Sequence, residues 1–136
     1  MALICLLPFN GQAQCVSFAK NVAKPKLGNF VHDGNYNATI LGVGETAELY
    51  KTFFEGQTYR VSVTKIDKLP NIHFRLIDKE NNVIFDNKDH HYADIWDFTV
   101  KSTQMLVLKL KVLDDYQSEN PSVTKGCVAV LFGIKK

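Results

Sequence analysis

The chain has 136 residues, enough for one domain built around one hydrophobic core. Hydrophobic residues make up 46% and charged residues 22%, close to the average of a soluble globular protein. The formal net charge is only +2 and the Lys and Arg residues are scattered, which excludes the basic track that a nucleic-acid backbone demands.

Residues 2–9 read ALICLLPF, an apolar run far too short to span a bilayer. Gly11 and Ala13 then stand as small residues at the positions that precede a signal-peptide cleavage site. Residues 1–13 are therefore expected to be the residue of an export signal, with 14–136 as the single domain. The first charge is Lys20, so the basic start of a complete signal is missing and the beginning reads as truncated. A buried N-terminal strand is the alternative. Gln14 stands before Cys15 where lipidation needs a small residue, which argues against a lipoprotein. Cys5 would leave with the signal, so Cys15 and Cys127 remain as an expected disulfide in an oxidising compartment, against two unpaired buried thiols.

Between Cys15 and Val31 the apolar residues have loose helical spacing. Pro25 and Gly28 are expected to limit any helix to about two turns, giving a short helix or irregular arm. His32, Asp33, Gly34 and Asn35 mark a turn. From Tyr36 the period switches to two, and β-branched and aromatic residues dominate. Strands are expected at residues 36–43, 46–54, 58–65, 72–78, 83–86, 93–101, 105–113 and 127–135. Eight short strands at this spacing predict an all-β fold, an antiparallel sandwich or jelly roll.

Alternation assigns one face of the third strand to Tyr59, Val61 and Val63 and the other to Arg60, Ser62 and Thr64. Leu106, Leu108, Leu110 and Val112 form one face of the longest strand. The last strand is apolar on both faces, with Val128, Val130, Phe132 and Ile134 opposite Ala129 and Leu131, so it should be covered twice. The N-terminal arm is the expected second cover, tethered there by a Cys15–Cys127 bridge. Residues 114–125 are polar and read as a long connection.

Chemistry-bearing residues are sparse. Asp86, Asp89, His90, His91 and Asp94 form the one dense cluster of metal-type ligands. Adjacent His90 and His91 point apart in extended backbone, and the spacing fits no zinc or calcium motif, so a solvated loop is the plainer reading and no cofactor is expected. There is no nucleophile elbow. Asp94 and Asp97, at odd separation, are expected on opposite sides of a strand, while a pair such as Glu48 with Asp78 stays open because neighbouring strands are unknown. Tyr50, Tyr92, Ile95 and Tyr116 are the outward residues that would anchor a protein or stack on a sugar. Asn37-Ala38-Thr39 matches a glycosylation sequon.

The segments ETAELYKTFFEGQTYRVSVT, NIHFRLIDKENNVIF and DIWDFTVKSTQMLVLKLKV resemble small exported β-sandwich proteins of Bacteroidota. The rhythm of turns, Tyr-bearing strand, hairpin and Phe-rich strand is also similar to the bacterial pre-peptidase C-terminal domain and its jelly-roll relatives. The second resemblance implies a non-catalytic envelope or extracellular module that contacts protein or carbohydrate. The leading expectation is thus a secreted or periplasmic binding module. A structural component of an envelope assembly, joined through edge strands, is the alternative. A small hydrolase or metal-dependent enzyme comes third.

Overall fold

The computed structural model describes residues 10–114 and 125–136. Most of the expected export signal, Tyr116 and nearly all of the polar connection lie outside the described residues. Among the described residues there are nine strands: β1 (Val31–His32), β2 (Asn37–Gly42), β3 (Thr46–Phe53), β4 (Thr58–Lys65), β5 (Ile72–Ile77), β6 (Val83–Asp86), β7 (Ile95–Thr99), β8 (Gln104–Val112) and β9 (Lys125–Ile134). They form two antiparallel sheets packed face to face. In the first, β9 pairs on one side with β4, which pairs with β7, and on the other side with both β1 and β2. The second runs β3-β8-β5-β6. All eight expected strands are found. The ninth, β1, has two residues, too few to show a period.

The inward faces carry the core. Tyr59, Val61 and Val63 from β4 and Val128, Val130 and Phe132 from β9 meet Phe53, Phe74, Leu76 and the Leu106–Leu108–Leu110–Val112 row of β8. Phe53, Tyr59, Phe74 and Phe132 are almost wholly removed from water. Each such side chain contributes about 1.5–3 kcal/mol of burial.

The outer face of the first sheet is covered by the N-terminal arm. A helix, α1 (Asn10–Phe18), continues through a wide π turn (Ala19–Ala23) into a 3₁₀ turn (Lys24–Leu27). The helical path is therefore longer than the two turns expected. Pro25 does not break it, because it sits at the start of the 3₁₀ turn, where its missing N–H has no bond to make. Cys15, Ala19, Ala23 and Leu27 are buried at every fourth position. A stripe of that spacing drifts about 40° per step on a regular α-helix, and the π turn in its middle takes up the drift. Against this stripe lie Ala129 and Leu131, the second apolar face of β9. Cys15 is bonded to Cys127, with 5.3 Å between their Cα atoms and a sequence separation of 112. Ser62 and Thr64 are sealed under the arm, their hydroxyls 3.3 Å apart.

Arg60 pins the far end of the arm. Its guanidinium makes a forked bond to Asp97 at 2.8 and 2.9 Å, donates to the Lys26 carbonyl at 3.1 Å and lies 4.5 Å from the Phe30 ring. The hydrogen bond and charge of Asp97 hold its pKa above the ordinary arginine value, against a smaller opposing effect of burial. At Gly133 a Cβ would come within 2.7 Å of the Phe30 Cβ, so only glycine lets the arm approach β9 there.

Candidate functional site

One end of the sandwich is built by the loop between β6 and β7, and most sequence candidates fall on it. Asp86, the last residue of β6, caps a 3₁₀ turn (Asn87–His90) by accepting from the Lys88 N–H at 3.0 Å. The same oxygen lies 2.7 Å from His73 Nε2 on β5. Burial pushes the Asp86 carboxyl up, but the Lys88 N–H, the His73 bond and the charges of His73 and Arg75 together hold it below the ordinary value.

Asn87 turns inward and is fully buried. Its Oδ1 accepts from the Phe74 N–H at 2.8 Å, and its Nδ2 donates to the Ile72 carbonyl at 2.9 Å and the Ala93 carbonyl at 3.0 Å. The side chain thus stands in for the strand that β5 lacks beyond Asp86. His91 and Tyr92 follow with φ of 57° and 56°, two successive non-glycine residues in the left-handed region. Such residues cost of order 1–3 kcal/mol each unless the surroundings enforce them. Here the Tyr92 N–H donates to the Asn87 carbonyl at 2.8 Å and the Val63 N–H to the Asp94 carbonyl at 2.9 Å. The loop is bolted at both ends around this strained pair, with His91 exposed and Tyr92 half-buried against His73.

An aromatic ladder ties the loop to the core. His90 stacks on Phe85 at 5.1 Å, Phe85 on Trp96 at 4.3 Å, and Trp96 on Phe98 at 4.4 Å. Phe98 then meets Phe53 at 5.2 Å. Because Phe85 lies on β6 and Trp96 and Phe98 on β7, the ladder closes this side of the sandwich.

Beside the loop is a cavity of about 300 Å³, lined by Lys26, Lys65, Asp67, Asn71, Tyr92 and Asp94 over a floor of Val63, Ile72 and Phe74. Lys26 Nζ sits 3.3 Å from Asp94. On the opposite side, the edges of β2 and β3 leave a mostly apolar cleft of about 250 Å³ over Leu41, Leu49, Val128 and Val130.

The candidate ligands do not converge. Asp86 is engaged by His73, Asp94 by Lys26, and His90 by Phe85, while Asp89 and His91 are exposed. Among the described residues, no three His, Cys, Asp or Glu side chains are placed to hold a metal ion. Asp94 and Asp97 do not face opposite sides as alternation predicted. Asp94 precedes β7, outside its alternation, and both carboxylates turn to the end of the arm, one to Lys26 and one to Arg60. Glu48 lies on β3 near Lys109, and Asp78 caps the β5–β6 hairpin by accepting from Glu80 and Asn82, so that pair does not meet either. Tyr50 is 61% exposed on β3, Tyr92 is half-buried against His73, and Ile95 is half-buried on the same face as Asp97. Sequence reasoning missed Asn87 as the anchor of the loop, because a buried asparagine looks like any turn former.

No protein-family model and no curated protein matches the chain. Solved structures do. PliG from Aeromonas hydrophila, a periplasmic inhibitor of g-type lysozyme, superposes with a TM-score of 0.53 at 10% identity, over 74% of this chain and 85% of that one. The likeness is one of fold. PliG from Salmonella Typhimurium, described in the same words, gives a TM-score of 0.48 at 13% identity, over 74% and 89% of the two chains. The sandwich seen here is thus an architecture shared with the Aeromonas PliG, at an identity too low to carry residues across. No described helix is long and apolar enough to cross a membrane.

Proposed function

We propose that this chain is an exported, non-catalytic protein-binding domain of the inhibitor kind, which presents the loop of residues 86–94 to its partner. The observation that carries this is the loop itself. Two successive left-handed residues, exposed His91 and half-buried Tyr92, are held by a buried asparagine and an aromatic ladder, and that is strain maintained at the surface. A rigid surface loop binds a protein with little ordering cost. The fold shared with the Aeromonas lysozyme inhibitor supports the reading. So does the Cys15–Cys127 bridge, which suits an oxidising compartment. Inhibition of a cell-wall-cleaving glycosidase is the finer form of the proposal.

The test is association of the purified protein with a g-type lysozyme, followed by calorimetry, with cell-wall lysis as the second readout. Binding and slowed lysis are expected. His91→Gly with Tyr92→Gly keeps the left-handed backbone, removes both side chains and should weaken binding at least tenfold. An absence of binding overturns the inhibitor reading, and binding untouched by the glycine pair removes the loop from the contact.

A further inference from the structure

The two outer faces of the sandwich are treated differently. The arm covers the first, whereas the second sheet shows its outer face to solvent. The pairing register shows what that face carries. One row across it is Thr46, Lys111 and His73, and the next is Glu48, Lys109, Arg75 and Asp86. The following row is apolar, with Tyr50, Val107 and the buried Ile77 in line, and Met105 lies beyond it opposite Thr52. Val83 and Ile84 on β6 extend the apolar part. Tyr50, Met105, Val83 and Ile84 are 61%, 47%, 51% and 42% exposed. Between the charged rows is a shallow hollow of about 220 Å³ lined by His73, Arg75, Lys109 and Lys111.

We propose that the bare face of the β3-β8-β5-β6 sheet is a second docking surface, for a partner protein that offers carboxylates beside apolar side chains. The argument is charge complementarity. In these two rows of described residues, Arg75, Lys109, Lys111 and His73 stand against Glu48 and Asp86, and Glu48 reaches Lys109 no closer than 3.8 Å. The positive excess selects an acidic partner, and the adjoining Tyr, Met and Ile side chains supply the contact typical of protein interfaces. A second copy docked by the same face would set these cations against each other. A uniformly anionic lipid surface would set negative charge against Glu48 and Asp86 as well as against the cations with which they alternate, whereas a protein can place its carboxylates on Arg75, Lys109 and Lys111 alone. This surface meets the loop at Asp86 and His73, and the variants that test it leave both residues in place.

The probe is a displayed library of random peptides selected against the intact, oxidised protein. Enriched peptides should carry two or more carboxylates next to Phe, Tyr or Leu. Their affinity should fall about tenfold or more for the Arg75→Glu, Lys111→Glu variant, and with rising salt. It should fall also for Tyr50→Ser with Met105→Ser. It should hold for Lys125→Glu with Lys135→Glu, which makes the same charge change at the two ends of β9, in the other sheet. Lysozyme association, if found, should survive the face variants, which also shows that they fold. Neutral or basic consensus peptides, equal binding to the charge-reversed variant, or stronger capture of the protein by phosphatidylglycerol vesicles than by the acidic peptides would each overturn the proposal.

Discussion

Replacing Asn87 by leucine keeps the branching of the side chain and removes three hydrogen bonds. The Phe74 N–H and the Ile72 and Ala93 carbonyls lose their partner inside the protein. A buried donor left without a partner costs about 1–3 kcal/mol, and an unsatisfied carbonyl somewhat less. Part of this is offset by the apolar surface that leucine brings, so a net loss of about 2–4 kcal/mol is expected. With a urea dependence of about 1–3 kcal/mol per molar for a small domain, the unfolding midpoint should fall by about 1–2 M. Fluorescence of Trp96, the one tryptophan in the chain, reports the transition, since it stacks on Phe85 beside the loop. A shift below about 0.3 M would refute the view that Asn87 anchors the loop. Asn87→Asp sharpens the test. Ionised, it keeps the acceptor but faces two carbonyl oxygens with no proton to give. Its folded pKa must then lie above its unfolded one, so its deficit is least in acid and grows as pH rises through that folded pKa.

Reducing the Cys15–Cys127 bridge should lower stability by at most about 4–5 kcal/mol, the loop-closure figure for a ring of this length. Urea midpoints with and without reductant measure it, and identical midpoints would contradict the tether. Deleting residues 14–31 should cost more, because Ala129, Leu131, Ser62 and Thr64 would be uncovered. Arg60→Lys keeps the charge but loses the fork to Asp97, so it should speed hydrogen exchange at Leu27 and Phe30, with a stability cost of about 1–2 kcal/mol. Unchanged exchange there would remove Arg60 as the pin of the arm. Asp86 is held below 3.8, so its contribution is present above that value and is lost as pH falls below it. Asp86→Asn should therefore flatten the acid limb of a stability-versus-pH curve, and an unaltered slope would count against the His73 and Lys88 contacts.

Most strands were legible because they show a period of two. The Leu row of β8 and the Tyr59, Val61, Val63 row of β4 mark one face each; burial follows the row residue by residue in β8, whereas in β4 the arm also buries Ser62 and Thr64 on the other face. The double cover of β9 was legible too, since Ala129 and Leu131 demanded a second layer. The arm's inner stripe was not, because alanine at positions 19 and 23 is small enough to suit either surface or core. The reach of the helix past Pro25 was hidden for a related reason. Proline is a breaker only where its N–H was needed, and sequence does not show where a 3₁₀ turn begins. The loop was marked as dense in functional groups, but Asn87 and the left-handed pair His91 and Tyr92 carried no compositional trace. The charged and apolar rows of the bare face depend on strand order and register, which bring Thr46, Lys111 and His73 side by side from distant parts of the chain.

The bridge between Cys15 and Cys127 also decides how the molecule bears load. A pull applied at residues 14 and 136 passes from α1 through the sulfur bond into β9, and strands β1 to β8 lie on the slack side of that path. Only the chain beyond Cys127 can peel, and residues 128–136 add at most about 30 Å of length. The sandwich would then behave as a closed ring on a short stem, inextensible in an oxidising medium and able to unravel only once the bond is cut.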